Sequence, residues 1–242
     1  MLTILLHKLF FAHDIASGIL ARHLFFVKRF LLFIAHASLL GFLFPEWRKE
    51  FGSLAATVLI IILFLSPLAK ISGMRLLAQC LALRRELGIL MGYLALVHGL
   101  GFLLDPRFFH RFIEPFLWSE VFFINPGILF GGVALFVTFP LLCTSNDLAL
   151  RFLGGKKWKL LHRLVYVLFA TALFHRFFMR SGQALDVVSL LQAFLLGGGY
   201  VLVKILAWKN FSPSLEKGIF FVANQYKKYT ENKIMVRGEE NK

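Results

Sequence analysis

From Lys28 onward the chain alternates between long apolar stretches and short polar flanks rich in lysine and arginine. Six stretches, roughly 28–44, 53–71, 86–104, 127–145, 160–179 and 186–207, are long enough, or nearly so, to cross about 30 Å of hydrocarbon at about 1.5 Å per residue. Backbone polar groups in lipid must be satisfied inside a helix or a closed barrel, and these stretches lack the two-residue alternation of barrel strands. The pattern therefore predicts an all-α polytopic membrane protein: a six-transmembrane-helix bundle over 28–208, preceded by an N-terminal cytoplasmic or interfacial extension over 1–27 and followed by a basic cytoplasmic tail over 209–242.

Composition agrees with this pattern. Of the 242 residues 58% are apolar and only 17% charged, whereas soluble domains run near a quarter charged. An ordinary soluble domain and a disordered chain are both excluded. The formal charge of +14 is decided by placement. Arginines and lysines in short flanks are retained on the cytoplasmic side, and 21 of the 27 fall on the side of Lys28, Lys70, Arg84, Arg151 and Lys204, against six on the side of Arg48, Arg107 and Arg176. Both termini are therefore expected in the cytoplasm. The basic excess reports topology beside a lipid bilayer and calls for no nucleic acid.

Little conventional catalytic apparatus is present. Cys80 and Cys143 have no CxxC partner, which argues against a disulfide framework or a zinc site. The apolar run Leu2–Leu6 is broken by His7 and Lys8 with no small-residue cleavage site after it, so no signal peptide is expected. There is no Walker or GxGxxG motif, no Ser/His/Asp set, no HExxH and no intramembrane carboxylate pair, and no catalytic residue is assigned. The outer loop Asp105–Pro126 is crowded with Phe108, Phe109, Phe112, Phe116, Trp118, Phe122 and Phe123. It reads as an interfacial anchor, with a partner or quinone contact as the other reading.

Histidines carry the chemistry, since ionisable residues within membrane helices are expensive. His98 lies 13 residues past Arg85 and His175 13 past His162, each about 20 Å inward from the cytoplasmic rim. Two imidazoles at one depth on facing helices can hold a haem iron from both axial sides, and Gly99 and Gly101 would leave room for a macrocycle edge. The competing reading is a pair of packing histidines bonded to carbonyls. His162, at the cytoplasmic end of the fifth stretch, is offset from His175 by roughly 140° on an ideal helix, so it shares their seam only if the helix tilts or bulges. Arg84 and Arg85, level with it, cannot ligate iron but could pair with propionates or another anionic group, or form a solvated basic cluster. His36 has neither a matched partner nor a nearby carboxylate and is assigned to packing.

The stretch Leu65-Ser66-Pro67-Leu68-Ala69-Lys70, then Leu83-Arg84-Arg85-Glu86-Leu87-Gly88 leading to Val97-His98, resembles the second and third helices of the ferric reductase-like transmembrane domain family. Thr144-Ser145-Asn146, Phe152-Leu153-Gly154, the run Trp158-Lys159-Leu160-Leu161-His162-Arg163-Leu164-Val165-Tyr166, and His175 are similar to MsrQ, the haem-binding membrane subunits of bacterial protein-methionine-sulfoxide reductase systems. The similarity covers about residues 50–210. It implies haem b, one or two per chain, with His98, His162 and His175 as the family's three histidine positions, and flavin mononucleotide (FMN) as a further cofactor for which no residue set is assigned. It also implies a bacterial inner-membrane location, electrons from the quinone pool or a cytoplasmic flavin reductase, and a periplasmic molybdenum-cofactor reductase subunit as acceptor. The N-terminal extension and the Phe-rich outer loop depart from the family pattern.

These observations together predict an inner-membrane electron-transfer subunit of an oxidoreductase complex rather than a complete enzyme. His98, His175 and His162 are the candidate axial ligands, and Arg84 and Arg85 the candidate cofactor-binding cations. The rival readings are a membrane ferric or other metal reductase and, outside redox chemistry, a small transporter with histidines along a polar path.

Overall fold

A computed structural model describes residues 2–114, 126–180 and 187–209, and every element among these described residues is helical. The helices are α1 (Leu2–Ala37), α2 (Arg48–Ser72), α3 (Arg75–Cys80), α4 (Arg84–Leu103), α5 (Pro126–Cys143), α6 (Asp147–Leu161), α7 (Leu164–Arg180) and α8 (Val187–Lys209). Helices α1, α2, α4, α5 and α8 belong to five segments long and apolar enough to cross a membrane, and α6 with α7 forms a sixth if the bent pair counts as one span. The outer loop beyond Glu114 and the tail beyond Lys209, with the readings attached to Phe116, Trp118, Phe122 and Phe123, lie outside the described residues.

Helix ends follow local chemistry. Gly73 stops α2 in the left-handed conformation at φ 64° while its N–H bonds Ala69 O, the αL termination that glycine permits without steric cost. Asn146 caps α6, its side chain accepting from the Ala149 N–H at 2.7 Å, which satisfies one of the donors a helix start leaves open. Within the spans, hydroxyls turn back on their own helices: Thr138 to Ala134 O at 2.8 Å and Thr171 to Val167 O at 2.9 Å. Lipid offers them no alternative acceptor.

Two boundaries differ from those read along the sequence. Helix α1 runs unbroken through position 28 for 36 residues, and its membrane-length segment, with the 3₁₀ turn that follows, is Asp14–Leu43. The expected fifth helix, 160–179, is interrupted: α6 ends at Leu161, α7 begins at Leu164, and their axes differ by 44°. Around the break Arg163 N bonds Leu160 O, Val165 N bonds His162 O and Tyr166 N bonds Arg163 O. These three-residue closures overwind the chain and turn its axis.

Helix α4 is central, flanked by α1, α2 and α5, with α7 along α5 and α8 against α2 and α7. The main core joins Leu59, Ile62 and Leu63 of α2, Met91 of α4, Val137 and Leu141 of α5, Leu168 and Phe169 of α7, and Tyr200 of α8. Ala35, Ala55, Leu90 and Leu94 seal α1 onto α2 and α4. Outward-facing Phe33, Phe136 and Phe194 are 68%, 79% and 76% exposed, a perimeter that suits hydrocarbon and would aggregate in water.

Candidate haem-binding site

One end of the bundle gathers the starts of α2 and α5 and the ends of α4 and α7. His98 on α4 and His175 on α7 come together there, with ring centroids 6.0 Å apart and planes inclined by 72°. His98 Nδ1 lies 2.8 Å from Arg48 O, and His175 Nδ1 lies 2.7 Å from Gly127 O. A carbonyl can only accept, so each Nδ1 carries the proton and donates it. Each Nε2 is thereby left with its lone pair, the form in which histidine binds a metal and the orientation that such a second bond ordinarily fixes.

Glycines make this arrangement possible, and two of them carry no signal in the sequence. A Cβ at Gly52 would stand 2.6 Å from His98 Nδ1, and one at Gly131 2.7 Å from His175 Nδ1. Only a residue without a side chain lets α2 and α5 come so near the two imidazoles. Gly99 and Gly101, expected to admit a macrocycle edge, are instead filled: Leu135 packs on the first and the Arg48 side chain on the second, at 2.9 and 3.1 Å from the position of a Cβ.

Arg48 organises the same end. Its backbone oxygen holds His98, its Nη1 donates to Asp105 Oδ2 at 2.6 Å, and its Nε is buried without a hydrogen-bond partner. Asp105, just past α4, also accepts from the Arg107 N–H at 3.0 Å. The Arg48 guanidinium, then the Arg107 amide, hold its carboxyl below the usual carboxylate range. Phe102 stands edge-on to His98 at 5.3 Å, and Phe130 stacks on Phe174 at 5.1 Å one residue from His175.

The donor set fits a haem iron. An iron held end-on between two imidazoles keeps the ring centroids roughly 6 Å apart, given metal–nitrogen bonds of about 2 Å. The two ring centroids stand at that spacing, each ring with its Nε2 lone pair uncommitted to a carbonyl, and Arg48 Nε at the same end is a buried donor without a partner, a group that a carboxylate could satisfy.

The other predicted cofactor residues, His162, Arg84 and Arg85, lie at the opposite end. His162 caps α6, at the far end of α7 and roughly 20 Å along its axis from His175. It stacks on Trp158 with centroids 3.9 Å apart, and its Nε2 is 3.2 Å from Thr144 Oγ1. Arg85 donates to Asp147 Oδ1 at 2.6 Å and to Ser145 O at 3.1 Å. Arg84 lines a pocket with Lys70, Tyr166, Tyr200 and Lys204. His36 bonds Leu32 O at 2.7 Å and stands edge-on to Tyr93. Glu86, which sequence reasoning passed over, is buried with Lys28 of α1 at 3.7 Å and one carboxylate oxygen unpartnered. Its neighbours Arg84 and Arg85 disguise it as part of a solvated flank.

Comparison with known proteins gives a consistent result. The family model described as "Ferric reductase like transmembrane component" matches residues 51–173. Proteins named protein-methionine-sulfoxide reductase heme-binding subunit MsrQ are similar to the chain. The one from Herminiimonas arsenicoxydans is 35% identical over 50% of this chain and 52% of its own length. That from Azospira oryzae is 35% identical over 62% of each chain, and that from Rhizobium meliloti 31% identical over 68% of each. The chain thus spans about half to two thirds of the length of these relatives. No solved structure matches it significantly.

Proposed function

The chain belongs to the ferric reductase-like transmembrane family, among the relatives of MsrQ, and from that premise we propose that it is a haem b-binding electron-transfer subunit of the bacterial inner membrane, with both termini cytoplasmic. The observation that carries the proposal is the His98–His175 pair, two imidazoles from different helices with both Nδ1 atoms committed to backbone carbonyls. Bound there, haem supplies a one-electron iron couple. His98 and His175 would hold the iron through Nε2, and the bonds to Arg48 O and Gly127 O would raise their basicity and fix their planes. Arg48 Nε, buried and unpartnered, would be the donor for a propionate. Arg84 and Arg85 stand at the other end of α4, about 20 Å from His98, and their role as cofactor cations rests on the sequence reading alone.

One haem per chain follows from one facing pair; His162 as ligand of a second haem is the competing arrangement. Electrons would enter from quinol or a cytoplasmic flavin reductase and leave to a periplasmic molybdenum-cofactor reductase; the relatives are named as subunits of a protein-methionine-sulfoxide reductase. The test is a dithionite-reduced minus oxidised absorbance spectrum of the purified protein with haem quantified per chain. Sharp reduced b-type bands at one haem per chain are expected. A protein that stays colourless after haem supplementation overturns the reading and leaves the histidines to packing or transport.

A further inference from the structure

Helices α1 and α4 meet along a seam that carries polar side chains at two levels. At the rim Lys28 stands 3.7 Å from Glu86. Seven residues further along α4, about 10 Å deeper, His36 of α1 stands edge-on to Tyr93 with ring centroids 5.2 Å apart. Tyr93 is the tenth of the 20 residues of α4, so this second level lies at the middle of the span, where the surroundings are hydrocarbon. His36 faces outward there. It is exposed, as are Phe33 one turn before it and Leu40 one turn after, while α1 packs chiefly on α4, α3 and its own following turn. The Leu32 carbonyl, 2.7 Å from His36 Nδ1, can only accept, so Nδ1 carries the proton and Nε2 keeps its lone pair. Among the described residues nothing donates to that nitrogen, and the Tyr93 hydroxyl makes no hydrogen bond. A polar group turned to hydrocarbon costs free energy that a partner recovers.

A ligand for this spot must dissolve in the bilayer, present a hydroxyl to Nε2 and offer an oxygen to the Tyr93 hydroxyl. Acyl chains carry no such groups, phospholipid headgroups stay at the rim, and a soluble protein does not reach the middle of a span. A quinol headgroup meets all three demands, since it is a flat apolar ring with a hydroxyl at each end. The spot is also close to the histidine pair. Tyr93 precedes His98 by five residues on α4, about 7 Å along the axis, and the turn after α1 lies against the residue before His98, where a Cβ at Gly41 would stand 3.0 Å from the Val97 side chain. We propose that the α1–α4 seam at His36 and Tyr93 seats the headgroup of a membrane quinol, with His36 Nε2 accepting from one of its hydroxyls. Such a seat, which rests on the electron-transfer reading above for its purpose, puts the electron donor in the bilayer rather than in the cytoplasm.

The experiment titrates the full-length chain in detergent with decylubiquinol and follows one-ligand adducts by native mass spectrometry, without oxygen and with dithionite present, so that binding is read without turnover. Wild type should take up one quinol per chain. His36→Leu, which leaves an apolar side chain toward lipid, and Tyr93→Phe, which removes only a hydroxyl, should each weaken binding roughly fivefold, the worth of about one net hydrogen bond. Phe194→Leu, on the exposed face of α8, should leave it unchanged. The dimethyl ether of the same quinol, with no hydroxyl to donate, should bind wild type more weakly and be indifferent to His36→Leu, a distinction that a merely structural role for the ring would not produce. Equal quinol binding by wild type, His36→Leu and Tyr93→Phe overturns the proposal, as does a haem-replete chain that takes up no quinol. Haem per chain is read separately from the reduced spectrum of the same samples. A colourless chain whose quinol binding still falls with both substitutions would sink the haem reading and leave the seat standing.

Discussion

The two ends of the bundle use the same side chain in opposite ways. At one end His98 and His175 each donate Nδ1–H to a main-chain carbonyl and face each other across 6.0 Å. At the other, His162 lies against an indole with its Nε2 engaged by the Thr144 hydroxyl. A histidine becomes a ligand by what its other nitrogen is bonded to and by what stands opposite it. Residue type and depth in the membrane select candidates, and hydrogen-bond partners separate them.

The sharpest way to break the contrast is to remove a ligand. His98→Ala or His175→Ala should abolish the low-spin haem spectrum of the purified protein, because an alanine offers no lone pair at the axial position. Retention of full spectra in both variants would move the cofactor elsewhere. The next effect in size tests the glycines. Gly52→Ala or Gly131→Ala drives a methyl to within 2.6 or 2.7 Å of an imidazole, so the ring must rotate off its carbonyl. Haem retention should weaken roughly 10- to 100-fold, as when outer partners of a metal ligand are lost, while the helical far-ultraviolet signal persists. Unchanged haem content and band positions in both would show that the rings have room to adjust.

Much of this contrast could be read from the chain and some could not. Counting inward from Arg85 and His162 placed His98 and His175 at one depth because a regular helix converts residue number into distance. For His162 the same conversion gave the distance from His175 but not the bend, since it assumes an unbroken helix and nothing at 162–163, neither proline nor glycine, announces the three-residue closures that turn the axis there. Gly52 and Gly131 were invisible for another reason. Glycine is common in membrane helices, and what distinguishes these two is the ring on a neighbouring helix, a relation between residues far apart in sequence. Arg48 and Asp105 sit in different flanks, and only the fold makes them one ion pair.

A smaller effect belongs to that pair. Asp105 has its carboxyl pKa lowered on folding, chiefly by Arg48. A group with a lowered folded pKa adds stability that is fully present above its ordinary range and is lost as pH falls through the folded value. Asp105→Asn should therefore lower the unfolding temperature at neutral pH and flatten its decline on acidification, with the reduced haem bands retained. Identical acid profiles for wild type and variant would show that other carboxylates govern that decline.

The least disruptive change returns to the far end. His162→Ala removes a ring stacked on Trp158 and a contact to Thr144 Oγ1, and a stacked aromatic pair contributes about 0.5–1.5 kcal/mol beyond its area. In a chain of this size each kcal/mol moves the unfolding temperature by about 2–4 °C, so a decrease of a few degrees is expected. Haem per chain and the positions of the reduced bands should stay as in wild type, because the His98–His175 pair lies roughly 20 Å away along α7. A fall to half the haem would reveal a second iron site that His162 serves. That result would erase the contrast between the two ends, since the indole and hydroxyl would then be supports for a ligand, as the carbonyls of Arg48 and Gly127 are for theirs.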